Sequence, residues 1–262
     1  MAASESGPGA IRILVLNPNS SQAMTQGMES AIKQLSLPDS IKIETYTAPS
    51  SSPASIDNAQ DILRSTKEVM AHLETKEKNW LLQFDAVLIA CYSVHSLVPE
   101  LQRLAGPSGP AVLGIFEASI MTSLSLLPDF SVEATWGVVT TGKFWEDHLS
   151  DGVKAFVGQA PAEPNHRFAG VYSTGLAAGD FHHVSPEQVS QKLRDATKRL
   201  LLSGPVGCVV MGCAGMAGLE AIIRSVIDEV YQDKTRKVYI IDGVKAGTMQ
   251  LEQIVRSRRA FE

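Results

Sequence analysis

Short, nearly continuous apolar runs alternate along this chain with longer stretches whose apolar positions recur at helical spacing. Parallel strands covered by helices produce that alternation, so the pattern predicts an α/β fold. The first run, Ile11 to Asn17 (IRILVLN), reads as a strand and gives way to the turn-forming Pro18-Asn19-Ser20-Ser21. Ser20 or Ser21 suits the N-cap of a helix whose apolar face runs through Met24, Met28, Ile32 and Leu35. Lys42 to Ala48 (KIETYTA) reads as a second strand, and after a Pro/Ser-rich loop at 49–55 a long helical pattern covers Ile62 to Leu82. Asp85 to Ser93 (DAVLIACYS) is a further apolar run, followed by a helix from about Val98 and a strand over Ala111 to Ala118 (AVLGIFEA).

The same order then returns. Ala134 to Gly142 (ATWGVVTTG) is a strand ending in a polar turn, as the first run was, and Phe168 to Thr174 (FAGVYST) takes the place of KIETYTA. Ser185-Pro186-Glu187 opens an amphipathic helix that ends at Leu202, with Ser185 as N-cap. Gly207 to Gly215 (GCVVMGCAG) corresponds to DAVLIACYS, and Lys237 to Gly247 corresponds to the strand at 111–118. Cys91 and Cys213 fall in matching runs 122 positions apart (213 minus 91), and Glu117 and Asp242 lie 125 apart (242 minus 117). The repeat predicts two pseudo-symmetric α/β lobes, each a mostly parallel sheet flanked by helices. The expected boundaries are a disordered lead-in over 1–10, a first lobe of 11–117 plus 243–262, and a second lobe of 118–242. The helix after Asp242 is expected to cross back to the first lobe.

Composition narrows the function classes. The chain has 262 residues, 44% hydrophobic and 19% charged, which is ordinary for a globular protein. A net charge of -5 supplies no basic face for nucleic acid. No apolar run of membrane-spanning length is free of charge or glycine breaks, so no membrane partner is expected. The opening MAASESGPGA lacks the basic start and apolar core of a secretory signal, which points to the cytoplasm. The three cysteines, an odd number, are then expected as free thiols rather than a disulfide framework. The run Arg256-Ser257-Arg258-Arg259 suits a helix C-terminus and needs no nucleic acid to explain it.

In open parallel sheets, ligands bind beyond the carboxyl ends of the strands. Cys91 and Cys213 each end an apolar run and precede a Ser- or Gly-containing turn, so each sulfur is expected near the positive end of the next helix. Backbone N–H groups of such turns can hold a carboxylate or enolate oxygen. Two opposed thiols suit inversion of a carbon beside a carbonyl, in which one face loses a proton and the other regains one. An ordinary thiol, with a pKa of about 8.5, reaches both of its forms near neutral pH. A lone strand-end cysteine, however, is usually packing, and Cys208, inside its apolar run, is given that inert role. Zinc is a poor fit to Cys208 and Cys213, because no C-x₂-C pair and no histidine cluster accompany them.

Other residues admit two readings. Asn17-Pro18-Asn19 presents amides beyond the first strand or simply makes a turn, and Thr140-Thr141-Gly142 is its counterpart. His95 is either a charge partner of Cys91 or a surface histidine. His182-His183 reads as a solvated loop pair. Glu117 and Asp242 either line a cleft or cap helices.

The chain resembles the aspartate/glutamate/hydantoin racemase superfamily, and within it the hydantoin racemase branch. The resemblance covers nearly all of the chain after residue 10. It rests on Leu14-Val15-Leu16-Asn17-Pro18-Asn19-Ser20, Ala90-Cys91-Tyr92-Ser93, Gly114-Ile115-Phe116-Glu117-Ala118 and Met211-Gly212-Cys213-Ala214-Gly215-Met216. The segment around Cys91 looks most like fungal members related to allantoin-cluster proteins. The resemblance implies an active site between the lobes, with Cys91 and Cys213 as acid–base groups and no cofactor or metal. It further implies a small-molecule substrate, a 5-substituted hydantoin or the ureide allantoin. Asn17, Ser93, Thr140, Thr141, Ala214 and Gly215 match the family's substrate contacts, the last two through backbone N–H groups. Bacterial hydantoin racemases carry an acidic residue and Pro-Gly after the first cysteine, where Val94, His95 and Ser96 stand here. Amino-acid racemases carry a histidine soon after the second cysteine, where Met216 stands here, which favours a neutral ring over glutamate or aspartate. The alternatives are a one-cysteine isomerase or decarboxylase of a small dicarboxylate, and a non-catalytic ligand-binding member of the fold. Association into a homo-oligomer is left open.

Overall fold

The computed structural model describes residues 9–77, 79–127, 134–182, 184–232 and 236–262. Most of the lead-in expected at 1–10 therefore lies outside the described residues. Two four-stranded, all-parallel sheets form the frame. In the first half β1 (Ile11–Asn17), α1 (Gln22–Lys33), β2 (Ile41–Thr47), α2 (Ala59–Glu74), β3 (Ala86–Ile89), α3 (Leu97–Ala105), β4 (Ala111–Gly114) and α4 (Ile115–Leu126) follow in order. The second half repeats them as β5 (Thr135–Thr140), α5 (Phe144–Phe156), β6 (Phe168–Ser173), α6 (Pro186–Leu201), β7 (Val206–Gly212), α7 (Glu220–Val230), β8 (Tyr239–Asp242) and α8 (Gly243–Phe261). The strand orders β2-β1-β3-β4 and β6-β5-β7-β8 are the same, which is the structural form of the sequence repeat.

Local chemistry sets the helix starts. Ser21 caps α1 by accepting from the Met24 N–H, and Ser185 caps α6 from Gln188, with Pro186 in the first turn. The long helix expected to reach Leu82 instead ends at Glu74, and Trp80–Gln83 forms a separate 3-10 turn. Asn79 precedes that turn with a left-handed backbone (φ 72°), which an α-helix cannot continue through. The strands expected over 111–118 and 237–247 stop at Gly114 and Asp242, and the remainder of each run opens α4 and α8. The start of α4 buries Ile115, Phe116, Ala118, Ser119 and Ile120 on more than one face, so its sequence shows no helical period to separate it from the strand.

The two helices after the edge strands exchange lobes. α4 packs on β7 and β8 of the second sheet, α8 packs on β1, β3 and β4 of the first, and the two helices pack against each other. Glycine permits the crossing: a Cβ on Gly243 would stand 3.1 Å from Ser119 Oγ and 3.2 Å from Ile115 Cβ. One buried cluster consequently runs through both halves, from Ile13 and Leu88 through Ile115 and Val244 to Trp136 and Val210. No described helix is long and apolar enough to cross a membrane.

Replacing Gly243 with leucine should force α4 and α8 apart and destabilise the protein by about 1–3 kcal/mol, as overpacking of a filled interior does. Urea unfolding should show a lower midpoint at an unchanged slope. A wild-type midpoint would mean that the crossing has slack.

Candidate active site

The central strands of each sheet end in step. Leu16 pairs with Ile89 and Thr140 pairs with Gly212, so Cys91 and Cys213 both emerge just past the carboxyl ends of the inner strands. Both line one narrow cavity, walled by Asn19, Ile56 and Tyr92 from the first half and by Thr141, Trp145 and Ala178 from the second. About 30 Å³ of it is open to the centre of a water molecule, roughly the space of a single water.

Each sulfur has a close donor from its own turn. Ser93 Oγ donates to Cys91 Sγ at 3.4 Å, and the Gly215 N–H donates to Cys213 Sγ at 3.3 Å. No α-helix begins directly after either cysteine, since α3 starts at Leu97 and α7 at Glu220. Only a three-residue 3-10 turn, Ala214–Met216, follows Cys213 directly. The thiols also depart from the ordinary value assumed above. Burial pushes Cys91 up to about 12, opposed by the Ser93 hydrogen bond and reinforced by Cys213 and Asp57. Burial likewise pushes Cys213 up to about 11, opposed by the Gly215 and Met216 N–H groups and reinforced by Asp57. Local donors exist, but loss of water outweighs them.

The remaining candidates fall into two layers. Thr141, Ala214 and Gly215 line the cavity beside the sulfurs. Asn17, Ser93 and Thr140 are fully buried behind it. The Asn17 amide is occupied by the turn: Nδ2 donates to Asn19 Oδ1, Ser21 O and Thr25 Oγ1, while Oδ1 accepts from the Asn19 N–H. Asn19 reaches the cavity in its place, its amide nitrogen meeting only the Met24 thioether. Thr140 Oγ1 donates to Gly212 O at 2.8 Å and so ties β5 to the residue before Cys213. Ile56, Tyr92, Trp145 and Ala178 were not singled out from the sequence. Trp145 and the loop residues Ile56 and Ala178 follow strand ends, and that general rule is the only signal that could have found them.

His95 is neither a surface residue nor a partner of Cys91. It is buried, its Nδ1 accepts the Leu97 N–H at 3.2 Å, and its Nε2 lies 3.3 Å from Ser65 Oγ. The ring proton therefore sits on Nε2 and points to Ser65, whose hydroxyl donates to Pro18 O at 3.0 Å. Burial pushes His95 down to about 4, so it holds the loops after β1 and β3 together as a neutral ring. Asp242 accepts from the Val244 and Lys245 N–H groups as the N-cap of α8. Glu117 lies three residues past Gly114, the corresponding cap of α4, so the two acids are not structural equivalents. Cys208 is packed in the core. His183 lies outside the described residues, and His182 ends a 3-10 turn, Ala178–His182. No group of three or more metal-binding side chains occurs among the described residues. A larger hollow, about 960 Å³, lies at the free edge of β8 between Arg224, Tyr231 and Tyr239, and no thiol lines it.

The chain is similar to known proteins over nearly its whole length. The family model described as Asp/Glu/Hydantoin racemase matches residues 13–251. An uncharacterized protein of Schizosaccharomyces pombe is 32% identical over 94% of this chain and 92% of its own length. A hydantoin racemase of Pseudomonas sp. (strain NS671) is 29% identical over 94% of this chain and 86% of its own. The crystal structure of an allantoin racemase from Pseudomonas fluorescens superposes with a TM-score of 0.74 at 25% identity, covering 95% of this chain and 92% of that one.

The neutral state of His95 has a measurable sign. Unfolded, the ring titrates near its ordinary 6.5, whereas the folded protein keeps it neutral down to about 4. Below pH 6.5 the unfolded chain binds the extra proton, so stability falls as pH drops toward 4, by on the order of 3 kcal/mol. The stability advantage of wild type over His95→Gln should shrink across that window in urea titrations at successive pH values. A constant advantage would show that the ring is not held neutral.

Proposed function

The chain belongs to the Asp/Glu/hydantoin racemase family, and from that premise we propose that it racemises a neutral hydantoin-type ring by two-base proton transfer between Cys91 and Cys213. A 5-substituted hydantoin or allantoin is the substrate class. The observation that carries this reading is that two sulfurs from equivalent positions of two lobes line one cavity. A carbon held between them presents one face to each. The thiolate of one removes the proton beside the carbonyl, and the thiol of the other returns a proton to the opposite face. The roles exchange with reaction direction, and the route needs no further acid–base group.

The surroundings supply what a planar, oxygen-centred intermediate requires. Ala214 and Gly215 follow Cys213 in a tight turn, where the Ala214 N–H serves a developing oxyanion and the Gly215 N–H, held by the Cys213 sulfur at rest, joins it when the sulfur engages the substrate. The Asn19 amide and the Thr141 hydroxyl are the polar side chains on the cavity wall suited to ring carbonyls and N–H groups. Asn17, Ser93 and Thr140 act from behind, by fixing Asn19, the Cys91 sulfur and the approach to Cys213. No lysine, arginine or histidine is among the residues lining the cavity. A dicarboxylate would enter such a site without a counter-ion, which favours a neutral ring over the one-cysteine dicarboxylate chemistries.

Both thiols lie well above neutral, so the active thiolate–thiol pair is scarce at pH 7 and grows with pH. For a 5-substituted hydantoin, kcat/KM should climb by about tenfold per pH unit between pH 7 and 9, after subtraction of spontaneous racemisation. A plateau by pH 8 would contradict thiols of this kind. Cys91→Ser and Cys213→Ser should each lower racemisation, followed by optical rotation, by about 10²–10⁴-fold. Either single variant running at the wild-type rate would exclude the two-thiol mechanism.

A further inference from the structure

Asp57 stands in the loop between β2 and α2, directly after the cavity-lining Ile56. Its Oδ1 accepts a 3.0 Å hydrogen bond from the backbone N–H of Ala178, which lines the cavity from the second lobe. The Asp57 N–H donates in turn to the Asp61 carboxylate, and Asn58 caps α2, so the backbone carrying the carboxylate is anchored on its helical side too. Asp57 is not itself among the residues lining the cavity, but it bridges the two lobes beside two that are, Ile56 and Ala178. Its charge reaches both sulfurs and opposes ionisation of each. A charge felt on both sides of the cavity is also felt by whatever lies between, and no cation on the wall offsets it.

We propose that Asp57 is the specificity-determining carboxylate of this site, accepting a hydrogen bond from an N–H of a neutral ring and repelling a ligand that carries a carboxylate there. The inference rests on the hydantoin-type reading above and adds the residue that enforces it. The discriminating pair is a 5-substituted hydantoin and its ring-opened N-carbamoyl amino acid. Hydrolysis of the ring amide adds one water and leaves a carboxylate where the ring had a neutral carbonyl. The two share their side chain and differ chiefly in that charge. The Asp57 carboxylate accepts hydrogen bonds only, so it welcomes an N–H and gives nothing to a second carboxylate.

The test uses the full chain and reads cysteine protection instead of turnover. Cys91 and Cys213 are alkylated with iodoacetamide at pH 8, their rates resolved by peptide mass spectrometry, with each ligand titrated as protectant. Asp57→Asn keeps an oxygen for the Ala178 N–H and removes the charge, whereas Asp57→Ala removes both. In Asp57→Asn both cysteines should react about threefold to tenfold faster, because a larger fraction is thiolate. The affinity ratio of ring to ring-opened ligand should fall by about tenfold in both variants. The same ratio in wild type and Asp57→Asn, with the ring still protecting, would overturn the role of Asp57 and leave the substrate class standing. A change confined to Asp57→Ala would assign discrimination to the Ala178 bond and overturn it as well. A ring that fails to protect wild type at all would sink the hydantoin-type reading, and this inference with it.

Discussion

The crossing of α4 and α8 is the constraint on which the rest depends. Each helix leaves the edge strand of its own half and packs on the sheet of the other, so the two sheets share one buried cluster. Separating the lobes would expose both helix faces at once, a large loss of buried apolar surface. That cost holds the carboxyl ends of the inner strands opposite each other. Two cysteines placed one or two residues beyond the ends of the inner strands then share a cavity. Gly243 and Gly247 are small because their neighbours leave no room: a Cβ on Gly247 would stand 2.4 Å from Leu88.

Within that frame the site is a contest between burial and hydrogen bonding. Enclosure by the lobes raises both thiols, and the local donors, the Ser93 hydroxyl at Cys91 and the Gly215 and Met216 N–H groups at Cys213, oppose it without winning. Dry surroundings strengthen every electrostatic contact made to a bound substrate, so the enclosure that makes the thiolate scarce also makes it a stronger base. Asp57 enters the same balance from beside the cavity. The supporting polar groups are arranged to be inert: Asn17 has its amide filled, and His95 is neutral and points at Ser65. Such fully partnered groups hold the loops in place around the two sulfurs.

Much of this was legible from residue order. The alternation of apolar runs with helical stretches predicted the parallel α/β frame, and the caps at Ser21 and Ser185 stand where side-chain chemistry put them. The recurrence of Ala-Cys and Gly-Cys at the ends of matching runs paired the cysteines, and the strand registers place them equivalently. The two misplaced strand ends share one cause. Residues 115–118 and 243–247 continue an apolar run past the end of its strand, and burial on several faces erases the periodicity that would have marked a helix. The same effect concealed His95, whose neighbours in sequence give no sign of Ser65 and Pro18 around its ring.

Local features of this protein were determined by the sequence alone, because strand alternation, helix period and capping depend on residues only a few positions apart. Tertiary structure decided everything that depends on distant chain segments. It chose where the apolar runs change from strand to helix, which sheet each crossing helix covers, and how far the thiols are driven from their ordinary range. It also brought Asp57 to Ala178, residues 121 positions apart in the chain. Burial and long-range charge are properties of the packed molecule, and no window of neighbouring residues contains them.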